Sequence, residues 1–342
     1  MGALQIADLD PYLERLRALP FVERVEVRLP RPSETRSGDA WLTLRTPKGR
    51  HALVAEVKDV PVSRGGAQSL VAHAARPPVR PRVVFSPYVS SHVGQLLASH
   101  HIGYVDQAGN CHIALGRDYV AHIEGRRQQQ PARLGRGLGA RSYQVLFALL
   151  ARPELVAAPV RSLAAAAGVR KTAGADLLQR LTEEGLVVRD KAGRRIARPN
   201  ALLDRWVAGY ADKLRPRLLV GRYRAGKDPL AFEKHAEATL EGLDWAWGGA
   251  TAAFRLTRHY RSAATTVHVA SPSPAMQRQL GLLPAKDGPV VVLGVPGPLG
   301  LESPLPHIAH PLLVYTELLV EGDERALEAA SEIRNRFLGH IG

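Results

Sequence analysis

Three residues near the start of the chain have the types and spacing of a metal-dependent phosphodiesterase site. Asp39 precedes one apolar run, and Glu56 and Lys58 end the next in the order Glu-Val-Lys. Two carboxylates can hold Mg²⁺, and a lysine can act beside the attacking water. Because side chains alternate along a strand, Glu56 and Lys58 are expected on one face. Asp39, Glu56 and Lys58 are therefore candidate catalytic residues, with Asp39 and Glu56 as the Mg²⁺ ligands. The alternative reading is a solvent-facing Glu–Lys pair on an edge strand.

A second group of residues has the chemistry of a DNA interface. Their cationic and amide side chains cluster in the middle of the chain, where they could bind phosphates and base edges. The candidate DNA-binding residues are Arg161, Arg170, Lys171, Thr172, Gln179, Arg180, Arg189, Lys191, Arg194 and Arg195.

The elements around this group predict a winged helix-turn-helix. A first helix over SYQVLFALLA precedes a short extended piece, Val156–Val160, and a short helix capped by Ser162. Gly168 forms the turn, and a second helix stops at Gly185. A basic hairpin, LVVRD and RRIAR, follows. In this motif the start of the second helix enters the major groove, and the wing follows phosphates or the minor groove. A winged helix used for protein contacts or dimerisation is the alternative.

The net charge supports a polyanionic partner. The formal charge is +14, and residues 127–225 carry 20 basic and 7 acidic side chains. Residues 1–126 carry 16 and 12, and residues 226–342 carry 10 and 13. A block of one sign confined to one segment is typical of phosphate binding, although a solubilising surface is the simpler alternative.

The order of elements divides the chain into three domains and a linker. Residues 1–126 read as helix, strands, helix, strand, helix and strands, an α/β domain whose order and D…ExK residues are those of the restriction-endonuclease type of nuclease. Residues 127–139 read as a basic linker, and residues 140–225 as the winged helix-turn-helix domain. Residues 226–342 read as a C-terminal α/β domain with a regulatory or partner-binding role.

Composition excludes several classes of protein. The only cysteine is Cys111, so a disulfide framework and a multi-cysteine metal site are excluded. No apolar run has the ~20 residues that a membrane helix needs, and the acidic beginning is unlike a signal peptide. We therefore expect a cytoplasmic protein without a membrane partner.

Five segments together resemble the AbiEi-type antitoxins, transcriptional regulators of type IV toxin–antitoxin systems. They are DAWLTL with LVAEVK, GYVDQAGNCHI, the winged helix, WAWGGATAAFRLTRHYR and HPLLVYTELLVEGDERALEAASEIRNRFL. The resemblance implies DNA binding through the winged helix, autorepression of an operon and counteraction of a nucleotidyltransferase-like toxin.

The sequence therefore predicts a regulator of the antitoxin type that binds double-stranded DNA as a homodimer. We expect no cofactor and an inactive nuclease-like domain. Two alternatives stay open: a Mg²⁺-dependent DNA nuclease using Asp39, Glu56 and Lys58, and an antitoxin that binds a nucleotidyltransferase-like toxin.

Overall fold

The computed structural model describes residues 5–30, 38–74, 81–126, 138–191, 193–226, 228–258 and 260–341. The chain forms two compact units, Met1–Gly137 and Leu138–Gly342. The predicted linker, residues 127–139, lies outside the described residues except for its last two. No helix in the described ranges is both long and apolar enough to cross a membrane.

The first unit is a seven-stranded mixed sheet with helices. Its strands lie side by side in chain order, with β3–β4 and β4–β5 parallel and the other neighbours antiparallel. The elements are α1 (Ile6–Arg17), β1 (Arg24–Arg28), β2 (Ala40–Thr46), β3 (Gly49–Val57), α2 (Arg64–Ala74), β4 (Arg82–Ser86), α3 (Ser91–Ser99), β5 (Gly103–Asp106), β6 (Cys111–Leu115) and β7 (Tyr119–Ile123).

The main core of this unit lies under α1. Leucines spaced along α1 pack on alternate residues of the strands, including Ala40 of β2 and Ala55 of β3, and Tyr12 stacks on Phe85 with ring centroids 4.9 Å apart. Alternation along β3 puts Glu56 on the opposite face from Ala55. The mixed α/β class is confirmed, while the restriction-endonuclease-like assignment stays a prediction.

The second unit begins with helices and a small hairpin. These are α4 (Ala140–Ala151), a 3-10 helix (Pro153–Val156), α5 (Val160–Ala166), α6 (Lys171–Glu183), β8 (Val187–Asp190), β9 (Gly193–Ile196) and α7 (Pro199–Gly209). Two local predictions were wrong. The piece Val156–Val160 is not extended but joins the 3-10 helix to α5. Ser162 is not the cap, because α5 begins at Val160 after Pro159, whose fixed φ suits a helix start.

The rest of the second unit is a five-stranded sheet with helices. The strand order is β11-β12-β14-β10-β13, and only β12–β14 is parallel among the described pairs. The elements are a π-helix (Tyr210–Leu214), α8 (Arg215–Leu218), β10 (Leu219–Ala225), α9 (Pro229–Thr239), β11 (Trp245–Gly248), α10 (Gly249–Thr257), β12 (Thr265–Val269), α11 (Pro274–Gln279), β13 (Leu282–Pro284), β14 (Val290–Leu293), a 3-10 helix (Pro298–Leu301), α12 (Pro311–Glu321), α13 (Glu324–Phe337) and a 3-10 helix (Gly339–Ile341).

Candidate functional site

The beginning of α6 presents cationic side chains that no other part of the described chain engages. Arg170 is the extended residue before the helix, and Lys171 and Thr172 form its first turn. All three are exposed, and neither cation has a side-chain partner among the described residues. The helix is fixed from beneath by buried Leu177, Leu178 and Leu181. A rigid helix therefore presents free donors at its first turn.

The other end of α6 is tied to the protein. Gln179 donates to Glu183 over 2.9 Å, and the Arg180 Nε is 2.9 Å from the Glu184 Oε1. Glu184 also pairs with Arg205 of α7. Burial alone would raise the pKa of Glu184, but the two guanidinium groups lower it. Arg180 thus has a structural role at this end, and Gln179 is engaged within its own helix.

The β8–β9 hairpin, which is the predicted wing, carries four cations that differ in exposure and in hydrogen-bond partner. Arg189 and Lys191 are exposed and have no side-chain partner among the described residues. Arg195 lies 3.4 Å from Asp190, a pair that is mostly exposed. Arg194 is half-buried, and its Nη2 donates to the Ala158 carbonyl over 2.9 Å. Arg161, on α5, is exposed as well. Five exposed cations are thus available to bind phosphate: Arg161, Arg170, Lys171, Arg189 and Lys191.

The turn between α5 and α6 rests on the C-terminal part of the same unit. Gly168 has φ +65°, and a Cβ there would lie 3.4 Å from the Gly297 Cα. A Cβ on Gly297 would lie only 2.8 Å from the Ala167 carbonyl oxygen, and Gly297 itself has φ +149°. Two backbones can approach this closely because neither glycine has a side chain. The segment around Gly297 therefore supports the turn that ends two residues before Arg170.

A buried carboxylate joins the helices that follow the β8–β9 hairpin to α12. Arg215 binds Glu317 through two hydrogen bonds of 2.8 and 3.0 Å, and the Tyr210 hydroxyl donates to Glu317 over 2.6 Å. Burial would raise the pKa of Glu317, yet the Arg215 guanidinium, with His268 and Tyr210, lowers it. His268 is fully buried, and its Nδ1 donates to the Gly294 carbonyl over 3.1 Å. This network fixes where α12 lies.

The residues of the D…ExK pattern meet at the end of β3. The Lys58 Nζ lies 2.7 Å from the Glu56 Oε1, and the Asp39 Oδ2 accepts a 2.7 Å hydrogen bond from the backbone N–H of Val57. Burial opposes ionisation of Glu56, but Lys58, with His73 and Arg82, outweighs it and lowers the pKa to about 2. The described residues contain no group of three or more His, Cys, Asp or Glu side chains arranged to hold a metal. Asp39 and Glu56 could supply at most two protein ligands.

The turn between β5 and β6 contains a second buried carboxylate. Asp106 is fully buried and accepts hydrogen bonds from the backbone N–H of Val89, the backbone N–H of Asn110 and the Asn110 side chain, at 2.7–3.0 Å. The Asn110 side chain in turn accepts from the Arg126 backbone over 2.8 Å. The two residues close the turn and also connect it to two other segments.

One family model matches the C-terminal two fifths of the chain. Residues 195–339 match the model of a family described as a transcriptional regulator, the AbiEi antitoxin of type IV toxin–antitoxin systems. The resemblance to the AbiEi antitoxins is confirmed over this range. The matched range runs from β9 to just past the end of α13. It supports an antitoxin or regulator role. Neither the curated proteins nor the solved structures gave a significant match.

Two parts of this AbiEi-like region were missed by sequence reasoning. The signal for the buried network was a glutamate, Glu317, inside the apolar run HPLLVYTELLVE. Glu317 is one of nine buried residues of α12, and a buried charge needs a partner. That partner, Arg215, lies 102 residues earlier in the chain, and the sequence did not indicate it. The support of Gly168 by Gly297 had no sequence signal beyond the glycines themselves.

Proposed function

We propose that this chain is a transcriptional regulator of the antitoxin type that binds double-stranded DNA through its winged helix. The observation that carries the proposal is the first turn of α6, where Arg170 and Lys171 are exposed and unengaged next to Thr172. Recognition helices contact bases through this end. Arg189 and Lys191 on the wing would bind phosphates and set the register.

The test is fluorescence anisotropy with labelled duplexes between about 50 and about 200 mM salt. The duplex upstream of the chain's own coding sequence is compared with a scrambled duplex and with single strands. We expect salt-sensitive duplex binding with preference for the upstream sequence. Arg170→Ala and Lys171→Ala should each reduce that preference, by about 1–3 kcal/mol for a base contact. Arg278→Ala, an exposed cation on α11, is the matched control. Binding that both recognition-helix variants leave intact would assign DNA to another surface.

We propose that the regulator acts as a homodimer, because one winged helix covers a short half-site and paired half-sites mirror a two-fold protein. Sedimentation of the free chain and of its complex with a duplex tests this. A complex of one chain per duplex would contradict it.

A Mg²⁺-dependent nuclease is the second candidate. It is favoured by the convergence of Asp39, Glu56 and Lys58 at one end of β3. The same binding reactions are run with and without Mg²⁺, and the DNA is examined on a denaturing gel. Cleavage that requires Mg²⁺ and disappears in Glu56→Ala would establish the nuclease. Intact DNA under every condition would leave the ion pair of Glu56 and Lys58 with a structural role.

An antitoxin that binds a nucleotidyltransferase-like toxin is the third candidate, and the match at residues 195–339 supports it. The acidic excess of residues 226–342 suits a basic protein surface. Co-expression with a nucleotidyltransferase encoded beside the gene, followed by co-purification, tests this. Absence of a complex would count against direct binding while leaving the regulator intact.

A further inference from the structure

The two strands of the wing place Arg189 and Arg194 directly opposite each other. Residues in this position share one face of a hairpin, and two like charges there repel. The two side chains nevertheless have different surroundings. Arg189 is exposed, whereas Arg194 is half-buried and donates from Nη2 to the Ala158 carbonyl oxygen over 2.9 Å.

Ala158 lies in the short connection between the 3-10 helix Pro153–Val156 and α5. Strand β9 lies against that 3-10 helix, so the bond from Arg194 is part of a contact between the wing and the helix-turn-helix. A hydrogen bond from a guanidinium to a carbonyl is charge-assisted and stronger than a neutral one. It joins a two-stranded hairpin, an element of little stability by itself, to the helices beside it.

We infer that Arg194 is a positioning residue, which holds the wing against the helix-turn-helix so that Arg189 and Lys191 can reach phosphates, and does not itself bind DNA. This inference rests on the proposed DNA binding. Residue type alone would place Arg194 among the phosphate-binding cations of the wing. The inference gives it a different role from Arg189 and Lys191.

The experiment is a double-mutant cycle in the full chain. It compares the wild type, Arg194→Gln, the pair Arg189→Gln with Lys191→Gln, and all three together, with the DNA dissociation constant and its salt slope measured for each. Removing the pair should reduce the salt slope by roughly two, since each phosphate contact contributes about 0.9. Arg194→Gln alone should weaken binding by roughly tenfold, the loss expected for one charge-assisted hydrogen bond.

In the variant that already lacks Arg189 and Lys191, adding Arg194→Gln should change neither the affinity nor the slope. Arg194→Gln should also speed amide hydrogen exchange in residues 187–196 of the free protein, while Arg278→Gln leaves it unchanged. A further fall in slope of about 0.9 in both backgrounds would show that Arg194 binds phosphate directly and would overturn the inference. Unchanged affinity of the single variant would overturn it too. Failure of the proposed function is a different result, in which the wild type itself binds no duplex.

Discussion

Replacing Glu317 with glutamine tests whether the buried network holds the second unit together. The side chains of Glu317 and Arg215 are only 3% and 14% exposed, and two hydrogen bonds join them. The substitution leaves the Arg215 charge buried without its counter-charge. Removing one member of a buried pair costs about 3–5 kcal/mol. For a unit of this size that corresponds to a fall in Tm of roughly 6–20 °C.

The assay is urea unfolding at pH 7, with intrinsic tryptophan fluorescence as the probe. Glu332→Gln is the matched control, because Glu332 pairs with Arg336 on the surface of α13. Its loss should change stability by no more than about 0.5 kcal/mol. Arg215→Met alone should cost as much as Glu317→Gln, and the double variant should cost less than the sum of the two.

The pH dependence gives an independent check. The folded-state pKa of Glu317 is below its usual value, so the stability it contributes is present above the unfolded pKa of about 4.3. That contribution is lost as the pH falls through the folded pKa. The difference between wild type and Glu317→Gln should therefore be full at pH 7 and shrink in acid. A loss below about 1 kcal/mol at pH 7, or a difference that stays constant in acid, would refute the reasoning.

Three further predictions concern other sites. Gly297→Ala should destabilise the second unit by roughly 1–3 kcal/mol, because its Cβ would meet the Ala167 carbonyl oxygen at 2.8 Å. Gly339→Ala is the control for the same thermal unfolding measurement, and it should leave stability unchanged because open space surrounds Gly339. Lys58→Met should raise the pKa of Glu56 from about 2, because burial is then no longer opposed by the Lys58 ammonium group. Carboxyl NMR titration measures this pKa, and an unchanged value would assign the lowering of the Glu56 pKa to other groups. Asp106→Ala should cost about 3 kcal/mol by leaving buried donors unpaired, and Asp118→Ala, on the surface, should cost far less in the same unfolding assay.

Local patterns in the sequence were enough to predict most helices and strands of the segment that we propose to be a winged helix. The spacing of Leu177, Leu178 and Leu181 defines the buried side of α6, and Gly185 follows the helix with φ +69°. The exception was the connection before α5. There the residues Ala157, Ala158 and Pro159 have no periodicity, and the Ala158 carbonyl accepts a hydrogen bond from Arg194 of β9, a contact that the local sequence does not indicate. Short segments of this kind are determined by what packs on them.

The sequence could not show which protein groups bind each candidate DNA-binding cation, because tertiary contacts determine those ion pairs and hydrogen bonds. Arg170 and Arg180 look alike in the sequence, but one is free at the beginning of α6 and the other pairs with Glu184 near its end. Arg194 and Arg195 are neighbours, and alternation sends one to the Ala158 carbonyl and the other to Asp190. Residue type predicted a DNA-binding surface. The register of one hairpin and the turn of one helix decide which of its cations have no partner in the protein.

The family match begins at Arg195, so α4, α5 and α6 lie outside it although they belong to the same compact unit. Residues within the match nevertheless hold these helices. His310 packs edge-on against Phe147 of α4 with ring centroids 5.4 Å apart, and the His340 Nε2 donates to the Leu150 carbonyl over 3.1 Å. Gly297 supports Gly168 at the turn before Arg170.

Close-packed interiors transmit a displacement instead of absorbing it. A Cβ on Gly297 would lie 2.8 Å from the Ala167 carbonyl oxygen, so we expect Gly297→Ala to displace the turn that precedes α6. The matched range and the helix proposed to bind DNA thus belong to one compact unit, and Gly297→Ala should change DNA affinity in the anisotropy assay although Gly297 itself does not touch DNA.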